Sequence, residues 1–288
     1  MNKLKLCISM LIFGTIGIFV KYIPLPSGVI AMTRGYMGAA FLLLVMLVTG
    51  SKPDFSSIKK NILPLTLSGV AIGVNWILLF EAYNYTSIAV ATLCYYMQPV
   101  MLIILTPFLL KEKLSKAKVI CVPVALFGMV MVSGIFTAKA DVSIKGIAFG
   151  LGAAVFYTSV IIINRFLKNI SAYDSTIVQL FAAAVVITPY NLLTQEISFF
   201  NIGISAWVCL LMVGFLHTGF TYYLYFSSVK KLPGETVAIY SYIDPAFAVF
   251  LSVFLLREGM DKWGMIGAIL ILGATLASEI LHGKRRER

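Results

Sequence analysis

Charge is what this chain has least of. Only 12% of its 288 residues are Asp, Glu, Lys or Arg, while 60% are hydrophobic. That leaves too little polar surface to coat a globule in water, which excludes an ordinary soluble domain. Acidic groups are scarcest, 12 Asp and Glu against 23 Lys and Arg, for a net charge of +11. Two histidines and four cysteines offer little to a metal centre. Cys7, Cys94, Cys121 and Cys209 fall singly inside apolar runs, with neither metal spacing nor a disulfide framework, and read as small packing residues. The sequence has no G-x-x-x-x-G-K-[ST] loop, no H-E-x-x-H and no G-x-S-x-G. ATP-driven transport by this chain alone and the commonest hydrolases therefore lack support, and neither cofactor nor metal is expected.

What the chain does have is apolar runs of about 20 residues, the length that crosses a bilayer. They predict spans near 4–23, 28–49, 62–83, 87–110, 117–135, 145–165, 172–194, 204–229, 234–256 and 263–282. The first follows Lys3 and Lys5 as a secretory leader would, but no small-x-small site closes it, so it reads as a span. Turn residues such as Pro24-Leu25-Pro26-Ser27 and Leu232-Pro233-Gly234 separate the runs. The predicted fold class is an all-α polytopic membrane protein with ten transmembrane helices. Basic residues collect on one side, with Lys3, Lys5, Lys52, Lys59, Lys60, Lys111, Lys113, Lys116, Lys118, Arg165, Lys168, Lys230, Lys231 and the tail Lys284, Arg285, Arg286 and Arg288. The other side carries only Lys21, Lys139, Lys145, Arg257 and Lys262. The positive-inside rule then puts both termini in the cytoplasm of a cell-membrane protein. The same loops account for the net charge, so the expected partners are the lipid bilayer and a small-molecule substrate, without nucleic acid. Monomer and homodimer remain open.

The chain also repeats itself. One constant offset carries Gly73 onto Gly219, Phe80 onto Phe226, Tyr96 onto Tyr242, Pro99 onto Pro245 and Glu112 onto Glu258. Five spans separate the copies, and five is odd. Halves 1–140 and 141–288 are therefore expected to lie in opposite orientations, and such inverted repeats place transporter sites at their interface near midplane.

The passages AYNYTSIAVATLCYYMQPV and LLKEKLSKAKVICVPVALFGMVMV, with their counterparts VKKLPGETVAIYSYIDPAFAVF and LLREGMDKWGMIGAILILGATL, resemble the EamA-like branch of the drug/metabolite transporter superfamily. The resemblance runs the whole length. It implies two five-helix repeats and a central cavity lined by helices 1, 3, 4, 6, 8 and 9, with 5 and 10 peripheral. Families of this kind move amino acids, nucleotide sugars, quaternary amines and drugs, so the resemblance leaves the substrate open.

Several residues can carry such a function. Pro99 and Pro245 lie near the middle of their spans, and each removes a backbone donor one turn after Tyr95 and Ser241. The freed carbonyls either line a cavity or are satisfied by packing at a kink. Asp244 is costly at a helix centre and must face protein or water. Tyr240 is expected one turn before it on the same face, and a purely structural pairing competes. His217, at similar depth, is either a hydrogen-bonded core residue or, with Asp244, part of a proton-coupling pair. Asn75, Trp76, Tyr95, Tyr96, Tyr157 and Tyr222 complete the expected substrate site, with the midplane tyrosines suited to a cavity wall. Tyr83, Tyr85 and Tyr225 read as interfacial anchors. Arg34 either snorkels or pairs with an acid or a substrate carboxylate, and Glu81 is either interfacial or part of the site. Glu112 and Glu258, at helix ends, need only loop pairing and capping. Gly69-x-x-x-Gly73 and Gly146-x-x-x-Gly150 read as close helix contacts.

The expected function is that of a secondary transporter exporting a small organic solute by alternating access, not an enzyme. The alternatives are an intramembrane enzyme using His217 and Asp244 as an acid–base pair, and a channel-like facilitator.

Overall fold

A computed structural model describes residues 2–109, 116–132, 143–195, 202–229, 232 and 240–286. The boundary between the expected halves, Glu112, the basic groups Lys111, Lys113, Lys139, Lys230, Lys231 and Arg288, and the side chain of Pro99 lie outside the described residues. Everything regular among the described residues is helical.

The first hydrophobic run forms α1 (Asn2–Gly14) and α2 (Ile16–Lys21), joined at Thr15. Next come α3 (Ser27–Val48), the short α4 (Phe55–Lys60) and α5 (Ile62–Tyr85). Asp54 caps α4, its carboxylate accepting from the backbone amides of Ser56 and Ser57 at 3.1 Å each. The fourth run divides into α6 (Ile88–Tyr95) and α7 (Gln98–Leu109), and α8 spans Lys116–Val132. In the second half α9 is Ile144–Asn164, α10 Ala172–Thr194 and α11 Ile204–Leu211. A π-helical segment, Met212–Phe220, continues α11 into α12 (Thr221–Val229). The last two helices are α13 (Ile243–Phe254) and α14 (Lys262–Arg286).

Among the described residues seven stretches are long and apolar enough to cross a membrane: 2–21, 27–48, 62–85, 88–105, 144–164, 172–194 and 204–225. Three shorter apolar helices, at 119–132, 243–254 and 262–274, fall on the three other expected spans. Large apolar side chains such as Leu44, Leu47, Phe181, Leu193, Val208, Phe250 and Ile269 stand exposed. A water-soluble protein does not tolerate that surface, and a bilayer covers it.

Two cores hold the helices. Leu42, Trp76, Phe80, Ile88, Ala153, Leu180 and Val213 belong to the larger one, which joins α3, α5, α6, α9, α10 and the π segment. A second joins Val90, Leu93 and Met97 to Cys121 and Met129 of α8 and Ile271 of α14. There a Cβ added to Gly128 would lie 2.8 Å from the Gly267 carbonyl, and one on Gly267 2.5 Å from the Gly128 carbonyl, so only glycines let these backbones touch. Both glycine patterns read from the sequence sit at comparable contacts, Gly69 and Gly73 against α10 and Gly146 and Gly150 against Thr86 and Cys94.

The packing partners are α5 with α9 and α10, α3 with α10 and the π segment, and α1 with α12 and α13. In addition α6 packs on α9 and α13, and α8 on α14.

In each proline-bearing span a short turn interrupts the helix shortly before the proline. Tyr96 and Met97 form a turn between α6 and α7, and the Met97 amide bonds the Cys94 carbonyl at 3.1 Å in a tightened last turn. Tyr242 makes the corresponding turn before α13. Pro99 and Pro245 thus stand in the first turn of a new helix, where a missing N–H costs nothing.

Candidate functional site

A cavity of about 360 Å³ lies where the broken helices meet α5, α9 and α12. Of the residues expected at the site, Asn75, Trp76, Tyr95, Tyr96, Tyr157, Tyr222 and Asp244 line it. Asp244 sits one residue into α13, just past the break, and the Tyr96 hydroxyl donates to its Oδ2 at 2.6 Å across from the other break. Tyr95 packs edge-on against Tyr96, with ring centroids 5.6 Å apart, and stacks on Tyr157 at 5.4 Å. Phe13 and Tyr222 meet edge to face at 5.5 Å on the opposite wall. Asn75 is buried and donates to the Ala153 carbonyl at 2.6 Å, which ties α5 to α9. Gln98, the sequence counterpart of Asp244, is buried and does not line the cavity, so the two copies contribute unequally.

Two expected members stand elsewhere. Tyr240 is half-buried and outside the lining, on the other side of the turn at Tyr242 from Asp244. His217 is fully buried behind the wall. Its Nδ1 lies 2.9 Å from the Met212 carbonyl and its Nε2 2.8 Å from Thr15 Oγ1, with Phe19 edge-on against the ring. A carbonyl can only accept, so Nδ1 carries a proton. The acid–base pair of His217 with Asp244 that the enzyme reading needs is not formed, since both ring nitrogens have other partners.

Other residues join the lining. Tyr83 and Tyr225, read as interfacial anchors, both face the cavity, and Thr176, Gln179 and Leu180 bring in α10. Arg34 brings in α3. It is only 4% exposed, its guanidinium lies 4.0 Å from the Trp76 ring centre, and its Nε donates to Thr218 Oγ1 at 3.0 Å. A cation over an aromatic face is worth about 0.5–2 kcal/mol, whereas taking a charge out of water costs several. The aromatic face and one hydroxyl therefore leave Arg34 under-compensated. Its charge was legible in the sequence, but its depth was not. Nothing in the spacing shows that Trp76 is its platform.

Thr218 can serve Arg34 because the π segment holds it in place. The side chains of His217, Thr218 and Thr221 reach the carbonyls of Met212, Val213 and Leu216, each five residues back. A widened turn leaves such carbonyls looser than an α-helix does, and π segments recur at functional sites.

The ends of the cavity are built differently. Ile88 lines it, and its N–H donates to Glu258 Oε2 at 2.9 Å. The same oxygen accepts from Ser252 Oγ at 2.5 Å, and the other carboxylate oxygen pairs with Lys21. Arg257, left-handed at φ 54°, turns the chain so that Glu258 comes back over the end of α13. Glu258 thus pairs and caps, as its place at a helix end suggests. At the opposite end Gln179 donates to Asn164 Oδ1 at 2.6 Å and to Ser68 Oγ at 3.0 Å. Asn164, Thr176 and Gln179 also line a surface recess floored by Leu167, Asn169 and Ile170, so the cavity leads out there. Near that recess Asn61 donates to the Lys168 carbonyl and accepts from its amide, at 2.8 and 2.9 Å. Glu81 stands apart, accepting from Ser27 Oγ at 2.7 Å. Among the described residues no cluster of three His, Cys, Asp or Glu side chains could hold a metal.

The profile of the EamA-like transporter family matches residues 3–134 and again 144–278. An uncharacterized transporter of Bacillus subtilis (strain 168), YxxF, is 27% identical over 270 residues, covering 93% of this chain and 86% of its own. Protein PecM of Dickeya dadantii (strain 3937) is 22% identical over 217 residues, covering 73% and 71%. A solved crystal structure superposes with a TM-score of 0.69 at 18% identity, over 97% of this chain and 98% of that one, which is a likeness of fold.

Proposed function

The chain belongs to the EamA-like transporter family, and from that premise we propose that it is a secondary transporter exporting a small organic solute across the cell membrane. It is a multi-pass membrane protein whose relatives are transporters. The solute class is an amino acid, an amine or a related metabolite or drug, bound in the central cavity and carried by alternating access.

The observation that carries this reading is the cavity itself: enclosed by aromatic side chains, holding Asp244 and Arg34, tied off at one end and leading to the surface at the other. Ten spans in two inverted halves, 1–140 and 141–288, account for the packing. The contact of α5 with α9 has its counterpart five spans on in α12 with α1, and that of α5 with α10 in the π segment with α3. Likewise α6 with α9 corresponds to α13 with α1. The broken helices then meet near midplane, where transporters of this architecture bind. Arg165 and Lys168 border the end that leads out, and the positive-inside rule makes that end cytoplasmic, together with both termini.

Asp244, bonded to Tyr96 and facing the cavity, is the group best placed to couple flux to protons. His217, behind the wall between Thr15 and Met212, links α1 to the π segment and takes part at second hand. In proteoliposomes, flux should respond to an imposed pH gradient, and Asp244→Asn should lower it at least about tenfold and abolish the response. Full-rate flux in Asp244→Asn with the gradient still felt would remove Asp244 from the coupling step.

A further inference from the structure

We propose that Arg34 is the anion-recognition residue of this cavity and that the transported solute bears a carboxylate. The inference rests on the reading of the cavity as the transport site and narrows it to solutes that are acids or zwitterions, excluding simple amines.

Arg34 is buried, and a buried cation calls for an anion. Among the described residues the one ion pair is Lys21 with Glu258, and no carboxylate comes within 4.0 Å of Arg34. Its one hydrogen-bond acceptor among them is Thr218 Oγ1, which engages Nε, while Trp76 covers one face of the guanidinium. Neither partner carries a negative charge. The two terminal nitrogens form the planar fork that matches a carboxylate oxygen for oxygen, and Arg34 belongs to the cavity wall.

Among the described residues the other charge that lines the cavity does not serve as the missing anion. Asp244 is engaged by Tyr96. Tyr83 and Tyr222 lie within electrostatic reach of both charges, but the two charges do not pair with each other. The cation is thus held ready, stacked and oriented, with its own counter-ion supplied from outside. An organic anion that fits about 360 Å³ and tolerates aromatic walls is the ligand this arrangement recognises.

The test uses matched triads in which one carbon skeleton carries an ammonium and a carboxylate, the ammonium alone or the carboxylate alone. Phenylalanine, phenethylamine and 3-phenylpropanoate form one triad; leucine, isopentylamine and 4-methylpentanoate form a second. Binding to the purified full chain is read by thermal shift and flux by counterflow in proteoliposomes. Carboxylate-bearing members should bind and move while the amines do not. Arg34→Gln should raise the carboxylate Kd by about tenfold or more, and Arg34→Lys, which keeps the charge but loses the fork, by about threefold. The Lys variant keeps the test alive should the Gln variant fail to fold. If the amines bind and move as well as their carboxylated partners, and Arg34→Lys leaves all affinities unchanged, the inference falls and the transport reading stands. If no member of either triad binds or moves, the reading of the cavity falls and takes the inference with it.

Discussion

At one end of the cavity the closing groups are charged, and at the other they are neutral. Lys21 of α2 meets Glu258 beyond α13, and Glu258 reaches the first amide of α6, so one carboxylate joins three elements. Its place at a helix N-terminus adds to the attraction. At the far end Ser68, Asn164 and Gln179 join α5, α9 and α10 through uncharged amides and a hydroxyl, beside the recess that leads out. A carboxylate that bonds backbone amides makes stronger contacts than an amide does. The difference teaches which end is tied off here and which gives way first: on the proposed orientation the solute enters from the cytoplasmic side, past Asn164 and Gln179.

Breaking the charged end should have the largest effect. Glu258→Ala strands the Ile88 amide and takes the acceptor from the Ser252 hydroxyl, which keeps the Ala89 amide as a donor, and should cost about 2 kcal/mol, roughly a 30-fold rise in opening. Hydrogen exchange of the amides at 88–90 should report it. Lys21→Met should matter far less, under about 1 kcal/mol, because the Lys21 side chain is 44% exposed and an exposed pair contributes little. Equal effects of the two would mean that the ion pair, and not the capping, closes this end.

The neutral end should yield to a smaller perturbation. Gln179→Leu leaves Asn164 Oδ1 with the Ser68 hydroxyl, at 3.2 Å, as its remaining partner. The expected cost is about 1.4 kcal/mol, or tenfold faster exchange over 164–171. Unchanged exchange there, with flux unaltered, would show that these amides do not guard the way in.

The smallest effect concerns the approach to that end, where α4 leads into Asn61 and its clasp on Lys168. The Ser57 hydroxyl, at 2.6 Å, and the amides of Ser57 and Ser56 hold the Asp54 carboxyl below its usual range. A depressed value in the folded state means that the cap is fully present above the unfolded value, about 3.9, and is lost as pH falls through the folded one. Amides of α4 should therefore lose protection on acidification, and Asp54→Asn should remove that pH dependence. A protection profile independent of pH in the unaltered chain would deny the cap this role.

How much of this could be read from residues alone follows from what each inference needed. Asp244, Trp76 and Tyr96 were legible because polar or amphipathic groups deep in an apolar run must find partners, wherever the chain puts them. Tyr240 stands outside the lining, since a place one turn from Asp244 along the chain does not fix which side chains meet a cavity. His217 was placed at the right depth but on the wrong side of the wall, since depth is a one-dimensional property and facing is not. Arg34 was visible as a charge, but its burial depends on α3 packing against α5 and the π segment. Two helices omitted from the expected lining, α3 and α10, line the cavity through Arg34, Thr176 and Gln179. Contacts between elements distant in sequence leave no local signature.

The π segment also acts as a phase shifter. By the offset that relates the two copies, Thr218 and Thr221 correspond to Ile72 and Asn75, and Tyr222 and Tyr225 to Trp76 and Leu79. All four α5 residues line the cavity, but of their counterparts only the two tyrosines do. The widened turn has swung the threonines away, one to hold Arg34 and both to bond their own backbone. Two walls written from one template thereby present different faces. Removing a single residue between Met212 and Phe220 would restore the common winding, bring the hydroxyls round toward the cavity and leave Arg34 without its anchor.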